Sequence, residues 1–98
     1  MAHVVTARWT AKQGASEEVA AAIAAIVVPA RAELGNVFYQ CHRDPDDPHV
    51  FFFYEQYESP EAYQAHLDSP HMQEHGFGTA IPLLESRERQ FFETWEPA

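Results

Sequence analysis

Residues 51–77 read FFFYEQYESPEAYQAHLDSPHMQEHGF, and the fold follows from this stretch. Aromatic side chains suit a pleated, buried surface, so Val50 to Tyr57 reads as a strand. Ser59-Pro60 and Ser69-Pro70 each pair a capping hydroxyl with a residue whose missing N–H costs a first helical turn nothing. The strand therefore feeds a helix, which breaks near Ser69 and restarts. Along the strand, Val50, Phe52 and Tyr54 point one way and Phe51, Phe53, Glu55 and Tyr57 the other. Both sets are aromatic, so both faces are expected to be buried, one by helices and the other by a ligand or a second subunit.

Upstream, Val4 to Thr10 alternates and reads as a strand. Gly14 and Ser16 open a helix, with Ser16 as the expected cap and Glu17 and Glu18 in the first turn, where the helix dipole favours acids. Its buried stripe is Val19, Ala22, Ile23, Ile26 and Val27. Pro29 is expected to bend this helix or end its regular part, and Gly35 to cap it. Asn36 to His42 is a second strand, joined to the third through the Asp44–Pro48 turn. Downstream, Gly76, Gly78 and Pro82 loosen the helical region, and Arg87 to Trp95 is the last strand.

The order β-α-β-β-α-β is the ferredoxin-like split βαβ arrangement, an α+β fold. It implies one domain over residues 1–98, with a four-stranded antiparallel sheet and both helices on one face. The chain is 46% hydrophobic and 13% aromatic over 98 residues. That is more apolar material than one core of this size requires, and a homodimer interface accounts for the surplus. Two such sheets face to face make a dimeric α+β barrel.

The formal net charge is −9, from six basic and fifteen acidic residues. Such a field repels phosphate backbones and anionic lipid, so no nucleic-acid or membrane partner is expected. Cys41 is the single cysteine, which excludes an intrachain disulfide and suits a reducing cytoplasm. MAHVVTARWT lacks a basic segment followed by an apolar run, so no signal peptide is expected.

His66 is the first candidate for chemistry. From the helix after the third strand it can reach Glu55 or Tyr57, where a neutral imidazole can take a proton as general base. The bland alternative is a histidine hydrogen-bonded for structure alone. Glu55, on an aromatic strand, must be hydrogen-bonded, paired or protonated. It either orients His66 or pairs with Arg8, Arg87 or Arg89. Trp9, Phe52, Tyr54, Tyr57 and Phe77 are candidates to line an aromatic pocket, although aromatics also dominate cores and interfaces. His71 and His75 share a helical face, but HMQEH is not HExxH and no third ligand is in view. No metal is expected, and His71 and His75 are placed at the pocket rim. Cys41 reads as an inert thiol and Asp44–Asp47 as a solvated turn. No dinucleotide, phosphate-loop or flavin signature is present, so no cofactor is expected.

Several short motifs, in order, carry a family resemblance. They are Ala7-Arg8-Trp9 with Gly14, Glu33-Leu34-Gly35 before Tyr39, His42-Arg43-Asp44, Phe53-Tyr54-Glu55-Gln56-Tyr57, Ala65-His66 and Ser69-Pro70-His71-Met72. Together they resemble the antibiotic biosynthesis monooxygenase superfamily of dimeric α+β barrels, in its quinol-monooxygenase-like branch. The chain departs from the haem-degrading branch: the first strand has no asparagine, and His66 stands where that branch has a tryptophan. The resemblance implies a cofactor-independent monooxygenase acting on a small quinol or phenolic aromatic with O2, as a homodimer, with His66 and Glu55 in its site. A non-oxidative isomerase with His66 and His71 as proton carriers, or a non-catalytic ligand-binding dimer, fits the same scaffold.

Overall fold

The computed structural model describes residues 1–97, in the order β1 (His3–Ala11), α1 (Ser16–Arg31), β2 (Asn36–Arg43), β3 (Val50–Tyr57), α2 (Pro60–Asp68), a π-helical segment (Met72–Ala80), a 3-10 turn (Ile81–Leu83) and β4 (Leu84–Glu93). The four strands form one antiparallel sheet in the order β2-β3-β1-β4. All helical segments lie on one side of it. The molecule is 18 Å across its thinnest dimension, the depth of one sheet and one helical layer.

The helix-covered face of β3 carries Phe51, Phe53, Glu55 and Tyr57, all buried. Opposite them stand Ala7 and Trp9 of β1 and Tyr39 of β2. Val19, Ile23 and Ile26 of α1 close the core from above. Trp9 meets Phe53 edge-on, with ring centroids 4.7 Å apart. Burying aromatic and branched side chains of this size contributes about 1.5–3 kcal/mol each.

The other face of β3 is the helix-free one. Phe52 is 36% exposed, and Val50, Tyr54 and Gln56 are half-buried. Phe38, on the same outer face of β2, is also exposed. Among the described residues of one chain nothing covers this face.

Local details differ from expectation. Ser16 is the first residue of α1 rather than its cap, and no side chain caps that end. Pro29 lies inside α1, which continues to Arg31, and Ala32 terminates it. Gly35, at φ 81°, lies beyond the helix end in the turn to β2. A Cβ there would stand 2.8 Å from the Cβ of Ala62, so the glycine lets this turn dock on α2. β4 starts at Leu84, three residues before the expected Arg87, and ends at Glu93, short of the expected Trp95. The second Ser-Pro opens a single α-turn that widens into the π segment from Met72.

Candidate active site

Ser59 caps α2 by accepting the N–H of Ala62 at 3.1 Å, and Pro60 occupies its first turn. This start sets the helix so that Tyr63 and His66, three residues apart, face the sheet. His66 is 2% exposed. Its ring lies among Tyr39, Tyr57 and Tyr63, with centroids 5.2 to 6.5 Å away.

The group that orients His66 is Glu33, in the turn after α1. Its carboxylate accepts from His66 Nδ1 at 2.8 Å and from His71 Nε2 at 2.5 Å. The side-chain amide of Asn36 donates to the same carboxylate at 3.3 Å. Burial pushes the Glu33 carboxyl up, but the bonds and charge of His66, with the bonds from His71 and Asn36, outweigh it and hold it below its ordinary value. An ionised carboxylate only accepts, so the proton of His66 sits on Nδ1. His66 Nε2 makes no hydrogen bond to the protein among the described residues.

His66 forms part of the wall of a cavity between α2 and the sheet, with Trp9, Tyr39, Phe53, Glu55 and Tyr63. Ala7, Leu67, Met72, Arg87 and Arg89 complete it. About 20 Å³ is open to the centres of water molecules, room for one or two.

Glu55 shares the cavity but does not bond His66. It accepts from the Tyr57 hydroxyl at 2.6 Å, two residues along the same strand face. Burial raises its carboxyl above the ordinary value, against the lowering effect of the Tyr57 bond and of His66. None of the three arginines considered from sequence forms an ion pair with it: Arg8 is exposed on the outer face, and Arg89 instead donates to Tyr63 at 3.0 Å. Burial and Glu55 hold the Tyr57 hydroxyl far above its ordinary range.

The sequence-derived site residues therefore separate. His66, Glu55 and Trp9 meet at the cavity. Tyr57 backs it through Glu55. His71 stands behind His66 on Glu33, and Phe77 lies outside the wall beneath the guanidinium of Arg87, 5.7 Å from its carbon. Phe52 and Tyr54 are on the opposite face of the sheet and do not reach the cavity. His75 bonds Glu74 at 2.8 Å and stays apart. Ser69-Pro70 separates His66 from His71 in sequence, yet Glu33, His66 and His71 converge, their donor atoms all within 4.8 Å of one another. This two-histidine, one-carboxylate set has the composition of a divalent-metal site. Glu33 escaped sequence reasoning because its partners lie 33 and 38 residues away. Burial of Cys41 raises its thiol to about 11, which leaves it protonated and unreactive at neutral pH.

With this geometry in place, the likeness to known proteins is informative. The chain superposes on PA3566 of Pseudomonas aeruginosa with a TM-score of 0.89 at 27% identity, covering 97% of this chain and 95% of that one. It is similar to SO0527 of Shewanella oneidensis at a TM-score of 0.86 and 26% identity, over 95% and 90% of the two chains. Rv0793 of Mycobacterium tuberculosis shares the fold at a TM-score of 0.88 and 24% identity, over 100% and 99%. No curated protein matches the chain. The sequence pattern described as antibiotic biosynthesis monooxygenase matches residues 2–76, which span β1 through α2 and carry Glu33, Glu55, His66 and His71. The chain belongs to the antibiotic biosynthesis monooxygenase family.

Proposed function

We propose that the protein is a cofactor-independent monooxygenase of a small quinol or phenolic aromatic substrate, working as a homodimer. The observation that carries this reading is His66, with Nδ1 fixed on Glu33 and Nε2 free at an aromatic-walled cavity. Nε2 takes the phenolic proton as general base, and the Glu33 carboxylate stabilises the imidazolium that forms. The electron-rich anion reduces O2 directly, and the two recombine as a ring hydroperoxide. Loss of water leaves a carbonyl. A phenol and O2 thus give a quinone and water, with every electron supplied by the substrate. Aromatic walls hold the ring and exclude water. The resting cavity is too small for a ring, so Met72 and Leu67, which line it, move aside on binding; methionine is suited to such repacking.

Oxygen uptake with reduced naphthoquinols tests the proposal. The protein is expected to exceed the protein-free blank, and His66→Ala to reduce the enzymatic rate by roughly 10²–10⁴-fold. Uptake equal to the blank in the unaltered protein rejects it.

A second reading is favoured by Arg87 and Arg89 in the cavity wall: a non-oxidative isomerase of a small polar metabolite, with His66 moving the proton. Solvent deuterium incorporation without oxygen consumption is its signature.

A further inference from the structure

β4 carries Arg87 and Arg89 two residues apart on the face that β1 presents to the cavity, opposite Trp9 and Ala7 respectively. Both residues line the cavity. The Arg87 Nε is buried and has no hydrogen-bond partner. Arg89 donates to a neutral acceptor, the hydroxyl of Tyr63. Neither forms an ion pair with any carboxylate among the described residues. Glu55, across β1 in the same cavity wall, holds the Tyr57 hydroxyl, and burial raises its carboxyl above the ordinary value. Burial and the neighbouring Arg89 both lower the Arg87 guanidinium from its ordinary value.

This is an unusual use of cations. The chain has only six basic residues at a net charge of −9, and fifteen carboxylates are available to pair with them. Two of the six stand side by side at one cavity, where the lining carboxylate, Glu55, bonds Tyr57 and forms an ion pair with neither. A buried donor without a partner is destabilising, and so is repulsion between two neighbouring like charges. An arriving anion offsets both.

We propose that the cavity takes a substrate bearing a carboxylate or an equivalent anionic group, which docks between Arg87 and Arg89. The inference rests on the reading of this cavity as a substrate site. Guanidinium forks match a planar carboxylate, which can accept two parallel N–H bonds. Arg89 is exposed, so the anionic group enters from the β4 edge. Tyr63 links this position to the base: its hydroxyl accepts from Arg89, and its ring stacks on His66 at 6.5 Å and 24°. An aromatic body held by its carboxylate at β4 therefore extends past Tyr63 toward His66 Nε2. The same pair of cations then stabilises the phenolate that His66 creates.

Binding of 1-hydroxy-2-naphthoate and of 1-naphthol, followed by naphthyl fluorescence, tests the proposal in the unaltered protein, Arg87→Met, Arg89→Met, Arg87→Lys and His66→Gln. The naphthoate is expected to bind the unaltered protein roughly ten- to a hundredfold more tightly than the naphthol, as charged hydrogen bonds would provide. Arg87→Met should erase most of that preference and Arg89→Met part of it. Arg87→Lys, which keeps the charge but not the fork, should retain part, and serves if the methionine variants fail to fold. His66→Gln should keep the preference. Equal affinity for the two probes overturns the proposal, as does a preference that persists in a folded Arg87→Met or is unchanged in Arg87→Lys. A carboxylate preference without oxygen uptake from any quinol or phenol would sink the monooxygenase reading and leave the anion site standing. Oxygen uptake from neutral quinols without that preference would do the reverse.

Discussion

Glu33 bridges two histidines from different segments and fixes the tautomer of one of them. Glu33→Gln removes the negative charge while keeping the shape. Hydrogen bonds to a charged group contribute about 1.5–3 kcal/mol, and a destabilisation of that order is expected at neutral pH in urea unfolding. The sign of its pH dependence follows from the lowered carboxyl of Glu33. Its contribution is complete above the ordinary value of 4.5 and is lost as pH falls through the lower folded value. The difference between the unaltered protein and Glu33→Gln should therefore shrink as pH is lowered below 4.5 in the same experiment, and a gap that does not change with pH argues against an ionised bridge. At this scale the sequence was half legible. His66 stood out because a histidine on the helix that follows an aromatic strand can reach Glu55 or Tyr57 at the end of the sheet. Its partner did not, because Glu33 sits in a turn, where side-chain direction carries no periodic signal. Glu55 was the natural guess by proximity, and the Tyr57 hydroxyl two residues away on the same pleat captured it instead.

Among the elements, Ser59-Pro60 and the alternation of β3 were readable because caps and pleats are local. The π segment was not. Gly76 and Gly78 mark weakness in that stretch but do not announce a widened turn, and Gly76 leaves room for Met72, whose sulfur would lie 2.6 Å from a Cβ at position 76. Gly35 is the position where an element boundary and the site meet. It holds a left-handed φ next to Ala62, and its carbonyl accepts the N–H of Glu58 at 2.8 Å. Gly35→Ala combines a strained backbone with a steric clash, each costing about 1–3 kcal/mol. Thermal denaturation should show a loss of at least about 2 kcal/mol. Because the same turn carries Glu33, oxygen uptake should fall in that variant even at temperatures where it remains folded. Unchanged stability would mean that the turn does not dock on α2 as described.

For the whole molecule, the reading of β3 as apolar on both faces had a physical basis, since the sequence pattern of a strand cannot distinguish an interface from a core. The single chain leaves Phe38 and Phe52 exposed on the uncovered face of the sheet. A second copy placed there completes the proposed barrel. Phe52→Glu would put a charge in that contact and should convert a dimer to a monomer in sedimentation, without altering the helix-covered core. Each copy carries −9, so two copies repel at long range. Added salt should tighten their association, whereas it should weaken the docking of an anion at Arg87. A protein that sediments as a monomer at all salt concentrations would remove the barrel.

The hydrogen bond between His66 and Glu33 has one more consequence. An imidazole proton on Nδ1 that faces an ionised carboxylate, on a side chain 2% exposed, is held out of rapid contact with solvent. It should appear as a single proton resonance far downfield of the amides, absent in His66→Gln and shifted in Glu33→Gln. Its rate of exchange into deuterated water would time the opening of α2 and the Glu33 turn. The contact that prepares the base would thus also serve as a clock for the motion that admits the substrate.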